Sequence, residues 1–250
     1  MQDRALPSIF SRSRKLAGAI RSRSLRESAG ETGYLFEHMS DELVERLSFV
    51  RHNPATALLL GHPAPHLIEY LRAQRAAVTS GSGIDEEAPY SVGPFDLIAS
   101  VGSLDTVNDL PGALIHMHRA LAPGGMAIAT LVGAPSLLNL RRAMLAADGE
   151  RPAARMHPLV DVRAAAELIQ RAGWHSPVVD SHTLRVSYPS LDRLVVDLRL
   201  HGMASRLAST APPVTRQGLE RAQQAFLEAA DSDGKVIETF EILTLSGWRR

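Results

Sequence analysis

Short runs of apolar residues alternate along this chain with longer stretches in which apolar residues recur every three or four positions. The apolar runs have no alternating polar residues, as a strand with one solvent-exposed face would, so they predict strands buried on both faces. These runs are residues 57–60, 95–101 and 126–132, with a weaker strand at 76–79. The helical stretches are residues 37–50, 67–74 and 109–121. This rhythm predicts an α/β fold with a mostly parallel sheet and helices on both faces.

The second half of the chain has a different pattern. Its helical segments are residues 136–147, 162–172, 190–202 and 219–230, and its strand-like segments are 178–188 and 236–248. Asp109, Asp161 and Ser190 each stand where a helix N-cap is expected, and Gly173 suits a helix C-terminus. Late strands of this kind predict antiparallel pairing at the edge of the sheet.

The same pattern predicts a division of the chain. Residues 1–54 read as a basic, helical N-terminal segment and residues 55–250 as the main domain, with an insertion or cap at about residues 190–232. The first thirty residues are rich in arginine and serine and lack the apolar region of a secretory signal. Three interpretations stay open for them: a helix on a membrane surface or partner, an organelle transit peptide, and a solvated helix.

Composition narrows the function. The net charge is zero, which argues against a general nucleic-acid binder. The chain has no cysteine, so disulfides, zinc–thiolate sites and cysteine nucleophiles are excluded. No apolar run is long enough to span a bilayer, although peripheral membrane contact stays open. We expect a cytoplasmic protein.

The histidines and serines give little evidence of other chemistry. His62 and His66 have the i, i+4 spacing of metal ligands, but His62 precedes the helix, so the two would not share a helical face. His116 and His118 point to different faces of their helix. Ser100 begins a segment that lacks the second glycine of a nucleophile elbow. We therefore predict no metal site and name no catalytic residue.

Residues 95–125 carry the most specific motifs. They combine the strand FDLIAS, the phrase VNDLPGAL at 107–114 and the turn RALAPGG at 119–125. This combination resembles the class I S-adenosylmethionine (SAM)-dependent methyltransferases. It is most similar to the branch that holds the carrier-protein methyltransferase of biotin synthesis and the mitochondrial complex I assembly factor that hydroxylates an arginine. The acidic run at 85–87 and the ending SGW at 246–248 favour the assembly-factor side.

The resemblance implies a Rossmann-like methyltransferase fold and SAM as the cofactor. Carried over by position, it places Gly61, Asp85, Glu86 and Ser100 at the cofactor. Asp85 or Glu86 stands where the family's acidic residue meets the adenine amino group, and a solvated charged loop is the alternative.

The departures from the family fall on that same site. The family loop has an acidic residue and three glycines, whereas this chain has Leu59, Gly61, Pro63 and Pro65 at those positions. Proline has no N–H to offer a ligand. The second strand ends near Ser80 without the carboxylate that would bind the ribose hydroxyls. Losing several such hydrogen bonds removes most of a micromolar affinity, which is only about 8 kcal/mol.

Two hypotheses from different classes follow. The first is a methyltransferase with a remodelled donor site, acting on a small carboxylate, a carrier-protein thioester or a protein side chain, or a hydroxylase of the assembly-factor type. The second is a non-catalytic pseudo-methyltransferase scaffold that binds a partner protein, as a complex I assembly-type factor would. A fold alone does not choose between them.

Overall fold

One six-stranded sheet organises the part of the chain that the structure describes. The computed structural model describes residues 8–30 and 33–250. The strands are β1 (Thr56–Gly61), β2 (Ala77–Ser80), β3 (Phe95–Val101), β4 (Leu121–Gly133), β5 (His175–Tyr188) and β6 (Val236–Trp248). Their order across the sheet is β2-β1-β3-β4-β6-β5. The sequence predicted each of these strands; the bounds of β3 and β6 are as predicted, and those of the other four differ at one or both ends.

The helices also follow the sequence pattern. They are α1 (Arg12–Ala29), α2 (Tyr34–Val50), α3 (Pro65–Ala73), α4 (Leu110–Arg119), α5 (Leu138–Asp148), α6 (Val162–Arg171), α7 (Leu191–Leu200) and α8 (Arg216–Leu227). The predicted caps are confirmed, because the side chains of Asp109, Asp161 and Ser190 each accept a backbone N–H from the first turn of their helix. Gly173 takes a positive φ of 82° just after α6.

The sheet is parallel on one side and antiparallel on the other. β2, β1, β3 and β4 run parallel, and β6 pairs antiparallel with both β4 and β5. The predicted mixed sheet is thus confirmed, although the C-terminal strand β6 lies one place inside the edge that β5 forms. The parallel order reverses between β1 and β3, and ligands of such sheets bind at the carboxyl ends of the strands there.

Helices cover both faces, as predicted. The buried residues of α2, α5, α7 and α8 pack on one face, and those of α4 and α6 pack on the other. Met39, Leu43 and Leu47 of α2 are fully buried in the first of these cores. A division of the chain after residue 54 stays a prediction, and α2 shares its core with the sheet. Within residues 8–30 and 33–250, no helix is both long and apolar enough to cross a membrane.

Phe240 of β6 offers a test of this packing. Its side chain is 1% exposed, so Phe240→Ala leaves a cavity and should lower the free energy of unfolding by about 3–5 kcal/mol. Phe49→Ala is the matched control, because Phe49 is 83% exposed and its loss should cost almost nothing. Urea denaturation of the two variants measures the difference, and equal costs would contradict the assigned register of β6.

Candidate functional site

The loop between β1 and α3 faces the crevice at the carboxyl ends of the parallel strands. Each backbone N–H that this loop still has is used inside the protein. The His62 N–H donates to the Val101 carbonyl at 2.9 Å, and the Ala64 N–H donates to the hydroxyl of Ser40 at 3.0 Å. Pro63 and Pro65 have no N–H to give. The loop therefore presents no backbone donor to a ligand.

Gly61 is required by contact between strands. Its φ is +74°, and a Cβ atom on it would lie 2.1 Å from the carbonyl oxygen of Val101 and 3.0 Å from the Ser103 hydroxyl. Real Cβ atoms do not approach backbone that closely. The glycine thus lets the end of β1 lie against the end of β3. Its predicted role as a cofactor contact stays a prediction.

Aromatic side chains fill the crevice above this loop. The ring of Phe36 lies 4.5 Å from the His62 ring and 5.5 Å from the His201 ring, measured between centroids. The guanidinium of Arg26 lies 5.0 Å from the centroid of Phe36, which is a cation–π distance. The cavity left beside Phe36 and Arg206 is about 10 Å³, roughly the room that one water needs.

The three carboxylates of the acidic segment, residues 85–87, have different partners. Asp85 lies at the surface and pairs with Arg12 at 2.8 Å. Glu86 is buried, and its carboxylate accepts hydrogen bonds from the hydroxyls of Ser103 at 2.6 Å and Ser100 at 3.5 Å. Glu87 accepts the backbone N–H of Asp109 at 2.9 Å and so caps α4.

Of the predicted site residues, the structure brings three together and separates one. Gly61, Glu86 and Ser100 gather around Ser103, whereas Asp85 points outward to Arg12. Lys15 of α1 places its ammonium 3.7 Å from Glu86. Ser103 and Lys15 were not predicted to be site residues. The position of Ser103 just past a predicted strand was the one local signal for it.

A buried arginine lies next to this cluster. Arg206 is 6% exposed, and its guanidinium donates to the Thr106 hydroxyl at 3.1 Å. Its backbone N–H donates to Nε2 of His157 at 2.8 Å. Burial raises the pKa of Asp105, and the positive charges of Arg206 and Lys15 act in the opposite direction. Arg206 could not be predicted from the sequence pattern, because it lies far along the chain from Thr106 and His157, which it contacts.

An apolar cavity of about 240 Å³ opens beside Asp105, under α5 and α7. Leucine, methionine and valine side chains make up most of its wall, and Arg199 and His157 supply polar atoms. A second cavity, of about 510 Å³, shares Met144, Arg155 and Met156 with the first. Arg155 is held by Asp148 through hydrogen bonds of 2.6–3.0 Å. The crevice of the parallel strands is thus filled, and the open space lies next to it.

The family follows from a match over most of the chain. A sequence model described as a methyltransferase domain matches residues 29–176. The chain belongs to this methyltransferase family. SAM is therefore the type of cofactor that family membership implies.

Individual relatives are similar over nearly the full length. A zebrafish (Danio rerio) protein named arginine-hydroxylase NDUFAF5, mitochondrial, is 29% identical and aligns with 96% of this chain and 83% of its own length. The malonyl-[acyl-carrier protein] O-methyltransferase of Halorhodospira halophila is 28% identical, with 89% of this chain and 83% of that protein aligned. These names describe the relatives themselves.

A solved structure agrees with the fold. The crystal structure of a Bacillus halodurans protein described as a methyltransferase covers 82% of this chain and 98% of its own, with a TM-score of 0.51 at 12% identity. At that identity the likeness concerns the fold alone. The predicted Rossmann-like methyltransferase fold is confirmed.

The residues of the crevice do not fit the methyl donor. The β1–α3 loop has no free N–H group, and β2 ends in Ser80 without a carboxylate. The N–H of Gly81, just after β2, is donated to the Leu59 carbonyl at 2.7 Å. Glu86 is committed to Ser103 and faces Lys15. A ligand in the crevice would have to displace Phe36.

Gly61 gives a stability test with a close control. Gly61→Ala should cost about 1–2 kcal/mol for the left-handed backbone and a further 1–3 kcal/mol for the clash with Val101. Gly234→Ala is the control, because Gly234 has a φ of +72° and nothing within 4 Å of its added Cβ. Denaturant titration should find Gly61→Ala the less stable variant, and equal losses would refute the close contact.

The buried histidines predict a loss of stability in acid. Burial, and then Arg26 and Arg206, lower the pKa of His62 to about 3, and burial followed by Arg206 lowers the pKa of His157 to about 4. The unfolded chain takes up these protons near pH 6.5 and the folded chain does not. Stability should therefore fall as the pH drops from about 6.5 toward 4, by at most about 1.4 kcal/mol per pH unit for each histidine.

The measurement is the free energy of unfolding against pH. The double variant His62→Gln/His157→Gln should have a shallower slope between about pH 6.5 and 4 than the unaltered chain. His175→Gln, on the outer strand β5, should keep the original slope. A double variant with an unchanged slope would show that these rings are protonated in the folded protein.

Proposed function

We propose that this chain is a methyltransferase-family protein that binds a protein partner and transfers no methyl group. The observation that carries the proposal is that the N–H groups of the β1–α3 loop are hydrogen-bonded within the protein. His62 donates to Val101, and Ala64 donates to Ser40. A donor site needs such groups to be free and aimed at the ligand. The filling of the crevice by Phe36 supports the same conclusion.

The N-terminal helix adds a second layer over the crevice. The Ser11 N–H donates to the Arg206 carbonyl at 2.8 Å, and Phe10 forms a bridge with Leu207. Arg12 and Lys15 of α1 pair with the acidic segment at Asp85 and Glu86. These contacts hold α1 where a methyl donor would have to enter. Binding of the donor would therefore require α1 and Phe36 to move together.

The proposed partner is a subunit of respiratory complex I during its assembly. The resemblance to the assembly-factor branch and the near full-length alignment with arginine-hydroxylase NDUFAF5 support this partner class. The apolar cavity beside Asp105, with Arg199 in its wall, would accept an apolar side chain or short segment of the partner. A cytoplasmic location is proposed from the sequence alone. The word mitochondrial in the name of the NDUFAF5 relative gives the compartment of that protein.

A second candidate is methyl transfer to a carboxylate carried on an acyl carrier protein. The named activity of the Halorhodospira halophila relative supports it. The cavity also supports it, because its apolar wall suits an acyl chain and Arg199 suits a carboxylate. In this candidate α1 and Phe36 move aside when SAM binds, without the carrier protein. The acceptor needs no general base, since a carboxylate is already the nucleophile.

Calorimetric titration with SAM and S-adenosylhomocysteine tests the proposal. Titrations of the purified chain should be flat at millimolar ligand, and neither ligand should raise the melting temperature. The Halorhodospira halophila relative, titrated in parallel, serves as the positive control. A micromolar dissociation constant for either ligand would overturn the proposal and favour the carrier-protein candidate.

The partner needs its own measurement. The chain should co-purify with complex I subunits of its own organism when they are expressed together. A Leu198→Arg variant, which places a charge in the wall of the apolar cavity, should lose the partner while unfolding cooperatively. Co-purification that survives this substitution would exclude the cavity as the binding surface.

A further inference from the structure

Helix α2 and the edge strand β5 meet along a row of polar side chains. Near one end Tyr34 donates to the Asp197 carboxylate at 2.7 Å and faces the hydroxyl of Tyr188. Further along, Arg46 pairs with Asp180. Between these contacts lies a cluster of three residues, His38, Glu42 and His182, which we call the α2–β5 cluster. It is separate from the crevice residues described above.

The α2–β5 cluster has the composition and spacing of a metal site. His38 and Glu42 stand four positions apart on α2, so they project from the same face of the helix. The Nε2 atoms of His38 and His182 face each other across the gap between helix and strand. Glu42 lies 3.8 Å from Nδ1 of His182. One ligand atom from each of the three residues falls within 4.8 Å of the others.

We propose that His38, Glu42 and His182 bind a divalent transition-metal ion that ties α2 to the edge strand β5. Two imidazoles and one carboxylate suit zinc, cobalt or nickel, and they leave a coordination position for water. All three residues are partly buried and lie on a helix and a strand, so little ordering remains to be done on binding.

The surroundings of the two rings support this assignment. Two facing imidazole nitrogens either share a proton in a hydrogen bond or direct their lone pairs at a common cation. Glu42 within the cluster and Asp41 beside it favour a bound cation, and the guanidinium of Arg46, one turn further along α2, pairs with Asp180 of β5.

A bound ion would stabilise the positions of β5 and α2 from a site outside the crevice. β5 has a sheet partner on one side only, and an ion would add to the contacts that Tyr34 and Arg46 of α2 already make with this strand. Phe36 lies two residues before His38 on the same helix and packs on His62. An ion at the cluster therefore fixes the part of α2 that fills the crevice. The histidines considered from the sequence, His62, His66, His116 and His118, are not part of the cluster.

Metal titration of the full chain, prepared without a histidine tag, tests the proposal. Zinc chloride should bind with one equivalent and raise the melting temperature. The cobalt complex should give visible d–d absorption with the intensity of a four-coordinate site with nitrogen and oxygen ligands. His38→Gln, Glu42→Gln and His182→Gln should each weaken binding more than about tenfold, since even outer-shell partners are worth that much.

His175→Gln is the matched control, because it removes a histidine from the same strand outside the cluster. It should leave stoichiometry and affinity unchanged. Circular dichroism of each variant without metal shows that a loss of binding is not a loss of fold, and Glu42→Gln is the mildest change if a histidine variant unfolds. The proposal is overturned if zinc and cobalt do not bind, or if binding persists unchanged in all three cluster variants.

Discussion

The contact between the ends of β1 and β3 sets the shape of the crevice. With no side chain at Gly61, the two strands close to a distance that no Cβ atom tolerates, and His62 donates its N–H to Val101. That bond turns the loop toward the sheet and away from solvent. Ser40 takes the next N–H, at Ala64, from the side of α2. The backbone N–H groups at the point where the strand order reverses are thereby hydrogen-bonded within the protein. In a ligand-binding loop such groups are free to bind the ligand.

Once the backbone is closed, the side chains above it can pack as a core. Phe36 lies against both His62 and His201, and the guanidinium of Arg26 lies over the Phe36 ring. Such a cluster is stabilised by aromatic and cation–π contacts and by exclusion of water. Polar residues then join by hydrogen bonds within the protein, as Glu86 does with Ser103. Ordinary packing forces thus account for the filled crevice, and the open volume lies in the neighbouring cavity.

The sequence predicted the architecture well because its strongest signals are local. Continuous apolar runs indicated the parallel strands, and Asp109, Asp161 and Ser190 indicated helix starts through contacts three residues away. Motif positions also brought Glu86 and Ser100 to the same place. The sequence could not choose between Asp85 and Glu86, since adjacent residues differ only in the direction that the folded loop gives them.

The missed residues depend on contacts between distant parts of the chain. Arg206 meets Thr106 across 100 positions, and His38 meets His182 across 144. No periodicity or spacing rule reports such pairs, because they form only when the helix packs on the sheet. Lys15 is similar, since a basic helix read alone suggests solvent or a membrane surface and gives no hint of Glu86.

The hydrogen bond between Ala64 and Ser40 also limits what substitutions in the loop can achieve. Replacing Pro63 and Pro65 by glycine would return two N–H groups to the loop, but Ala64 would still donate to Ser40 and His62 to Val101. Phe36 and α1 would still cover the space. Two proline-to-glycine substitutions would thus not be enough to open the crevice, because the hydrogen bonds of the loop and the packing of Phe36 and α1 do not depend on the prolines. A donor site in this fold is a property of the loop together with the helices packed on it.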